Sequence, residues 1–304
     1  MAAPACPHCG QPIRSAKGCP CRKRAAETVV ESSAPTTAPA PPPPASPQAA
    51  TKWEVPALEL AIERRFRMFA IPVALLVAWG VVHAGFLHML LRTVLSMWIH
   101  ELGHAVAAWL CGRFAFPGPW FTPVGEGRSL IVVGLVAGGL GYGGFRLWRA
   151  SKLWALVLLL LLPVQLYCSF LLPEPKVSAF IIWSGDGGCM VIGTVLMLSL
   201  YARKRSQLRV GWLRWGFLVI GASAFADGLA TWWAARTDRD AIPFGENEGR
   251  GLSDPTVLVF EQGWSVSGLV GSYVWTGVVC LLLLAIAYGF GLRRERESYG
   301  EGAE

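Results

Sequence analysis

The sequence Trp98-Ile99-His100-Glu101-Leu102-Gly103-His104-Ala105 lies within a largely apolar run that extends from residue 86 to 111. On a helix, residues four apart share a face, so His100 and His104 can direct two imidazoles toward one metal ion. Glu101 lies beside that face and is placed to act on a water molecule at the metal rather than to bind it. Three unpaired polar groups are costly in hydrocarbon, so the pattern predicts a metal site rather than a solvated polar face.

The composition is that of a membrane protein. Hydrophobic residues make up 53% of the chain and charged residues 15%, and the mean hydropathy is +0.44. The net charge of +7 comes from short basic clusters between apolar runs, which is typical of cytoplasmic loops rather than of a nucleic-acid surface. The composition therefore predicts an integral membrane protein in a lipid bilayer, with no nucleic-acid partner.

Long apolar segments predict an all-α polytopic membrane protein, a bundle of about six transmembrane helices. The glycine-rich segment 129–145 is expected to be re-entrant or otherwise not to cross the membrane. Residues 112–128 contain repeated Gly and Pro, which favours a loop or short edge strand over a helix. The predicted spans lie near residues 68–84, 86–111, 153–172, 178–200, 212–234 and 265–291.

The charge pattern predicts the topology. Basic clusters at 146–152, 203–214 and 293–296 are separated from one another by pairs of spans, so all three fall on one side, taken as the cytoplasm. The acidic loop 235–263 then lies outside. The basic residues at 64–67 should also be cytoplasmic, which requires an even number of crossings before residue 146. This is why 129–145 is expected not to cross.

The N-terminal segment 1–24 predicts a small zinc-ribbon-like knuckle. Four thiolates suffice for one tetrahedral structural zinc, and so short a segment needs metal to supply its folding energy. The alternative is a flexible basic tail with free thiols. Reduced thiolates favour the cytoplasm, where the knuckle would recruit a partner. The cysteines are Cys6, Cys9, Cys19 and Cys21.

The rest of the chain divides by composition. Residues 25–52 are a Pro/Ala-rich linker that stays extended, residues 53–292 form the membrane domain, and residues 293–304 are a polar C-terminal tail. Because such knuckles occur at many prokaryotic N-termini, we expect the cytoplasmic (inner) membrane of a prokaryote.

A catalytic zinc needs a third protein ligand and an open position for water. Asp186 and Asp227 are the candidates, because each lies in an apolar span and is followed by Gly. Asp186 is preferred, since the glycines around it let another backbone approach closely. Asp227 is the alternative. The other aspartates lie in the loop 235–263: Asp238, Asp240 and Asp254.

His-Glu-Leu-Gly-His at 100–104 and Gly185-Asp186-Gly187-Gly188 together resemble the site-2 protease family of intramembrane zinc metalloproteases, over roughly residues 86–200. The resemblance implies that His100, His104 and Asp186 bind catalytic Zn²⁺ and that Glu101 activates the zinc-bound water. The sequence departs from the family at Gly185, where Leu is frequent, and it shows no PDZ-like insertion.

The resemblance implies a metalloprotease-like membrane domain, a zinc metalloendopeptidase that cleaves a membrane-spanning or membrane-adjacent segment of a protein substrate. Such a helix must unwind before attack, because its carbonyls are hydrogen-bonded. One alternative is a catalytically silent metal-binding membrane scaffold. Another is a membrane metalloprotease of a different family with Glu as third ligand, for which Glu126, Glu174 and the glutamates of the loop 235–263 are candidates.

Overall fold

The computed structural model describes residues 57–149, 152–201, 212–247 and 251–300. The predicted knuckle at 1–24, with Cys6, Cys9, Cys19 and Cys21, and the linker 25–52 lie outside the described residues. The described residues belong to one compact unit, Pro56–Glu304, and are mostly helical.

The helices follow the predicted apolar segments closely. The described chain contains three π-helical turns, at Arg92–Ser96, Tyr167–Leu171 and Val257–Glu261. The last helix continues past the predicted boundary at 292, so the backbone shows no break there. The helices are α1 (Ala57–Val82), α2 (Phe86–Leu91), α3 (Met97–Leu110), α4 (Leu130–Trp148), α5 (Lys152–Leu166), α6 (Glu174–Leu198), α7 (Leu213–Ala234), α8 (Asp254–Thr256) and α9 (Val266–Gly300).

The polytopic helical architecture is confirmed. Five helices of the described chain are long and apolar enough to cross a membrane, and the number becomes six if one bent pair is a single span. That pair is Met68–Val82 with Phe86–Leu110, whose axes differ by 117°. The break lies at Gly85, whose φ of 52° is left-handed and therefore suits glycine.

The segment expected to be re-entrant is instead a continuous helix. Residues 129–145 fall almost entirely within α4, which is 19 residues long and apolar enough to span. Its glycines do not break it, because a glycine costs a helix only about 1 kcal/mol and apolar surroundings favour the backbone hydrogen bonds. The bend of this region lies before α2, not in α4.

Contacts at the two ends of the bundle bear on the number of crossings that the charge pattern predicts before residue 146. Tyr288 donates to the Met68 carbonyl at 2.6 Å, and the next turn of α9 packs against Tyr201, just beyond α6. Arg113, just past α3, pairs with Glu174 at the opposite end of α6. The bent pair therefore runs once from one end of the bundle to the other, and α4 follows it as the next candidate span. Counted as one span, the pair gives two candidate spans between residues 68 and 148, and the charge pattern predicts an even number of crossings there.

A β-hairpin covers the C-terminal end of α3. Strand β1 (Arg113–Ala115) pairs antiparallel with β2 (Val124–Arg128), which confirms an edge-strand structure rather than a helix at 112–128. Arg113 and Arg128 both ion-pair with Glu174 and so fix the hairpin to the start of α6. A second, shorter hairpin, β3 (Glu246–Asn247) and β4 (Gly251–Leu252), lies in the loop before α9.

Helices α3 and α6 approach each other closely through glycine. A Cβ on Gly188 would lie 2.6 Å from the Cα of Gly103, and one on Gly103 would collide with the Ser184 carbonyl. The expected role of the glycine cluster around Asp186 is therefore confirmed. On the other side of α6, the core is filled by the fully buried side chains of Phe225, Trp232 and Tyr273.

Candidate metal centre

The two histidines of α3 present one nitrogen each to a common point. The Nε2 atoms of His100 and His104 lie 3.1 Å apart. Their Nδ1 atoms are held on the far sides of the rings, by Asp186 Oδ1 at 3.0 Å and by the Ile181 carbonyl at 2.7 Å. A carbonyl only accepts, so the Nδ1 of His104 donates. In the neutral ring its Nε2 then carries a lone pair.

The third atom at this point comes from Asp254. Its Oδ2 lies 3.1 Å from both Nε2 atoms, so the three atoms form a triangle with equal sides. A tetrahedral zinc with bonds of about 2.0–2.1 Å separates its ligand atoms by about 3.3 Å. The separations therefore fit a divalent metal with three protein ligands and one open position.

The surroundings of Asp254 Oδ2 also fit a cation. This atom is buried, and within the described part of the chain it makes no hydrogen bond of good geometry, although both imidazole nitrogens are close. Burial acts to raise the pKa of Asp254, but positive charge on protonated His104 and His100 holds that pKa well below its usual range. A cation bound between neutral imidazoles would supply the same compensating charge to this buried oxygen.

The loop that carries Asp254 is internally braced. Ser253 precedes α8, donates to the Pro243 carbonyl at 2.8 Å and lies 2.8 Å from the Thr256 hydroxyl. That hydroxyl accepts from the backbone N–H of Gly245 at 2.9 Å. Leu258, one turn further on, is fully buried. These contacts fix the carboxylate over the histidines, on a segment outside the apolar spans.

Asp186, the preferred third ligand, is not placed at the point where the two Nε2 atoms meet. Its Oδ1 meets the opposite nitrogen of His100, and its Oδ2 accepts from Trp232 Nε1 at 2.9 Å. The residue that faces the imidazoles is Gly185, where a Cβ would lie 2.5 Å from His100 Cε1. The twist of α6 therefore directs the Asp186 side chain away from the two Nε2 atoms. Among the described side chains, it groups with His100 and Cys189 but not with His104.

The alternative ligand Asp227 belongs to a separate cluster. Its Oδ1 lies 2.7 Å from His88 Nε2 and 3.5 Å from Arg92 NH1. The glutamate alternatives are also placed elsewhere: Glu174 pairs with arginines of the hairpin, and Glu126 is exposed on β2. In the described chain, the carboxylate that meets both Nε2 atoms is therefore that of Asp254 rather than that of Asp186, Asp227 or these glutamates.

Glu101 follows His100 on α3 and is buried. It is 5% exposed, and it lines the same cavity of about 460 Å³ as His100, His104 and Asp254. The Thr122 hydroxyl donates to its carbonyl at 2.9 Å, which ties the hairpin loop to α3 beside the histidines. The remaining wall is mostly apolar and comes from α3, α6, the hairpin and the Asp254 loop: Met97, Trp120, Phe121, Val124, Ile181, Ile182, Pro243, Leu252 and Pro255.

The sequence reasoning missed Asp254 because loop carboxylates were set aside in favour of those in apolar spans. One local pattern marks the position: Ser253-Asp254-Pro255-Thr256 is followed by the apolar run 257–260. Serine before Asp-Pro is typical of a helix start, which indicates an ordered segment rather than a solvated loop. Nothing local, however, indicates that this segment reaches His100.

Comparisons with protein-family models, with curated proteins and with solved structures each find no match for this chain. The chemistry of the centre is therefore argued from its own geometry.

Proposed function

We propose that this chain is a membrane-embedded zinc metalloendopeptidase, with His100, His104 and Asp254 as metal ligands and Glu101 as general base. The observation that carries the proposal is the triangle of two Nε2 atoms and a buried Oδ2, all 3.1 Å apart. Two imidazoles and one carboxylate, with a fourth position open, are a donor set typical of catalytic zinc. The cavity beside the triangle leaves room for a substrate.

A bound zinc ion would polarise a scissile carbonyl as a Lewis acid and lower the pKa of a water molecule. Glu101 accepts the proton of the attacking water and passes it to the leaving amine nitrogen. Asp186 and the Ile181 carbonyl hold the two imidazoles through Nδ1, which keeps each Nε2 directed at the same point. Each proton step is thus assigned to a side chain of this site.

The substrate class follows from the walls of the cavity. They are mostly apolar and include the hairpin residues Phe121 and Val124, which suits a membrane-spanning or membrane-adjacent peptide segment. A helical segment must unwind to expose its carbonyls, and an extended one pairs readily with a strand edge such as β2. The proposal retains the resemblance to site-2 proteases in His100, Glu101 and His104, but assigns Asp186 a different role.

A catalytically silent scaffold would hold its metal in a closed site with four protein ligands. Among the described side chains, the histidine pair is joined by a single further ligand atom, from Asp254. The cavity then adjoins the fourth position. This arrangement favours the enzyme over the scaffold.

The decisive experiment compares Asp254→Asn with Asp240→Asn, an exposed carboxylate of the same loop. The readouts are zinc per mole of detergent-purified protein and cleavage of a reporter transmembrane peptide. We expect Asp254→Asn to lose most of its zinc and all measurable cleavage, because two imidazoles alone hold zinc weakly. Asp240→Asn should match the wild type. Full zinc in Asp254→Asn would contradict the ligand assignment.

A further inference from the structure

Arg92 is brought into the cavity by the π-helical turn before α3. The backbone N–H of Met97 bonds to the Arg92 carbonyl, five residues back, as a π-turn requires. In an uninterrupted α-helix, residue 93 would align with Met97 and the histidines. The extra residue puts Arg92 there instead, and Arg92 lines the cavity together with His100 and His104. Such π-turns are frequent at functional sites.

Most of the Arg92 guanidinium is not committed to its ionic partner. Its hydrogen bond to Asp227 is long, at 3.5 Å, and the same oxygen already has a closer neighbour in His88 at 2.7 Å. A guanidinium has five N–H donors, and the Arg92 side chain is 36% exposed. Among the described residues, the Arg92 guanidinium keeps N–H groups for a further ligand, and a cation among apolar spans is costly unless it has a function or a ligand.

The other charged groups that line the cavity already have roles. Asp254 meets the two Nε2 atoms, Asp186 orients His100, and Glu101 handles the proton under the proposed function. Within the described lining, Arg92 is the single Lys or Arg side chain. A substrate group that complements it must be an anion that can accept from a planar fork of donors, and in a peptide that group is a carboxylate.

We propose that Arg92 is a specificity-determining residue that binds a carboxylate of the substrate, either an acidic side chain or the C-terminal carboxylate. The claim about cleavage specificity rests on the proposed function, whereas the claim that Arg92 binds a carboxylate does not. Asp227 is then a positioning residue that, with His88 as its closer partner, contacts Nη1 of Arg92 and leaves the other N–H groups of the guanidinium for the substrate.

The test uses two pairs of apolar peptides of about twenty residues, long enough to span a bilayer. The first pair carries one central Glu or Gln, both with an amidated C-terminus. The second pair has the central Gln and a free or amidated C-terminus. Binding is measured on the zinc-loaded Glu101→Gln protein, which should not turn the peptides over, and cleavage is measured on the otherwise wild-type protein.

We expect one of the two carboxylate peptides to bind about tenfold more tightly than its uncharged twin, the size expected for hydrogen bonds to a charged group. The pair that shows the preference identifies the source of the carboxylate. Arg92→Gln should bring the ratio close to one. Arg92→Lys should restore part of it, because lysine keeps the charge but lacks the fork.

Arg239→Gln is the matched control, since it removes an exposed cation of the loop 235–263 and leaves Arg92 and Asp227 unchanged. It should keep the carboxylate preference. Equal binding within both pairs, or a preference that survives Arg92→Gln, would overturn the proposal and leave Arg92 as a counter-ion of Asp227. Zinc content and cleavage of the uncharged peptide report separately on the proposed function. A preference without any cleavage would therefore refute the enzyme and retain the Arg92 site.

Discussion

Two histidine–aspartate clusters lie along helices α2 and α3. They differ in whether hydrogen-bond donors satisfy the aspartate. In the cluster of His88, Arg92 and Asp227, the carboxylate oxygen meets an imidazole at 2.7 Å and a guanidinium, so donors compensate its charge. In the cluster of His100, His104 and Asp254, the Nδ1 of His104 donates its proton to the Ile181 carbonyl. The Oδ2 atom of Asp254 makes no well-formed hydrogen bond within the described chain. Donors therefore satisfy the Asp227 carboxylate, whereas under the proposed function a bound cation would satisfy the Asp254 oxygen.

The largest effect is expected from the two histidines that are proposed to bind the metal. His100→Ala and His104→Ala should each abolish zinc binding and cleavage, because the remaining ligands cannot hold the ion. His83→Ala is the matched control: His83 is exposed and bonds the Trp79 carbonyl in its own helix. Zinc content after dialysis distinguishes them. If His88→Ala, in the donor-satisfied cluster, lost zinc to the same extent, the contrast between the clusters would be wrong.

Glu101→Gln separates chemistry from metal binding. Gln is nearly isosteric but cannot accept the proton of the attacking water, so cleavage should fall by about 10²–10⁴-fold, the usual contribution of a general base. Zinc content should stay at the wild-type level, since Glu101 is not among the grouped ligand atoms of the described chain. Cleavage at the wild-type rate would refute the mechanism and favour the scaffold.

Asp186→Asn tests the orienting role that replaces the ligand role. Loss of the carboxylate behind His100 should weaken zinc affinity by about 10–100-fold, the range known for partners of metal-binding histidines. Trp232→Phe removes the donor to the other oxygen and should cause a smaller loss. The measurement is zinc retention against a graded chelator. Complete zinc loss in Asp186→Asn together with full zinc in Asp254→Asn would instead identify Asp186 as the third ligand.

Asp227→Asn should have the smallest effect on the metal. The carboxylate contacts His88 and Arg92 but neither metal-binding imidazole, so zinc content should not change. Thermal stability in detergent should fall modestly, because both partners are about one-third exposed and water can solvate them. A zinc loss comparable to that of Asp186→Asn would show that the two clusters are coupled.

The sequence by itself determined the parts of this protein that depend on local periodicity and composition. Apolar runs of sufficient length become helices because only internal hydrogen bonds satisfy the backbone in lipid. The spacing of His100 and His104 places both imidazoles on one face of any helix, and it brings Glu101 beside them. The glycines near Asp186 indicate close helix packing, which the contact of Gly103 with Gly188 confirms.

Only the tertiary structure decided which carboxylate meets the histidine pair. Asp254 is 150 residues beyond His104 in the sequence. It reaches the site because the folded loop rests on the bundle. Likewise the tertiary structure places the bend of this region at Gly85 and leaves α4 a continuous helix. Both outcomes depend on contacts between distant segments, Asp254 with His104 and Met68 with Tyr288, and such contacts leave no periodic trace in either segment.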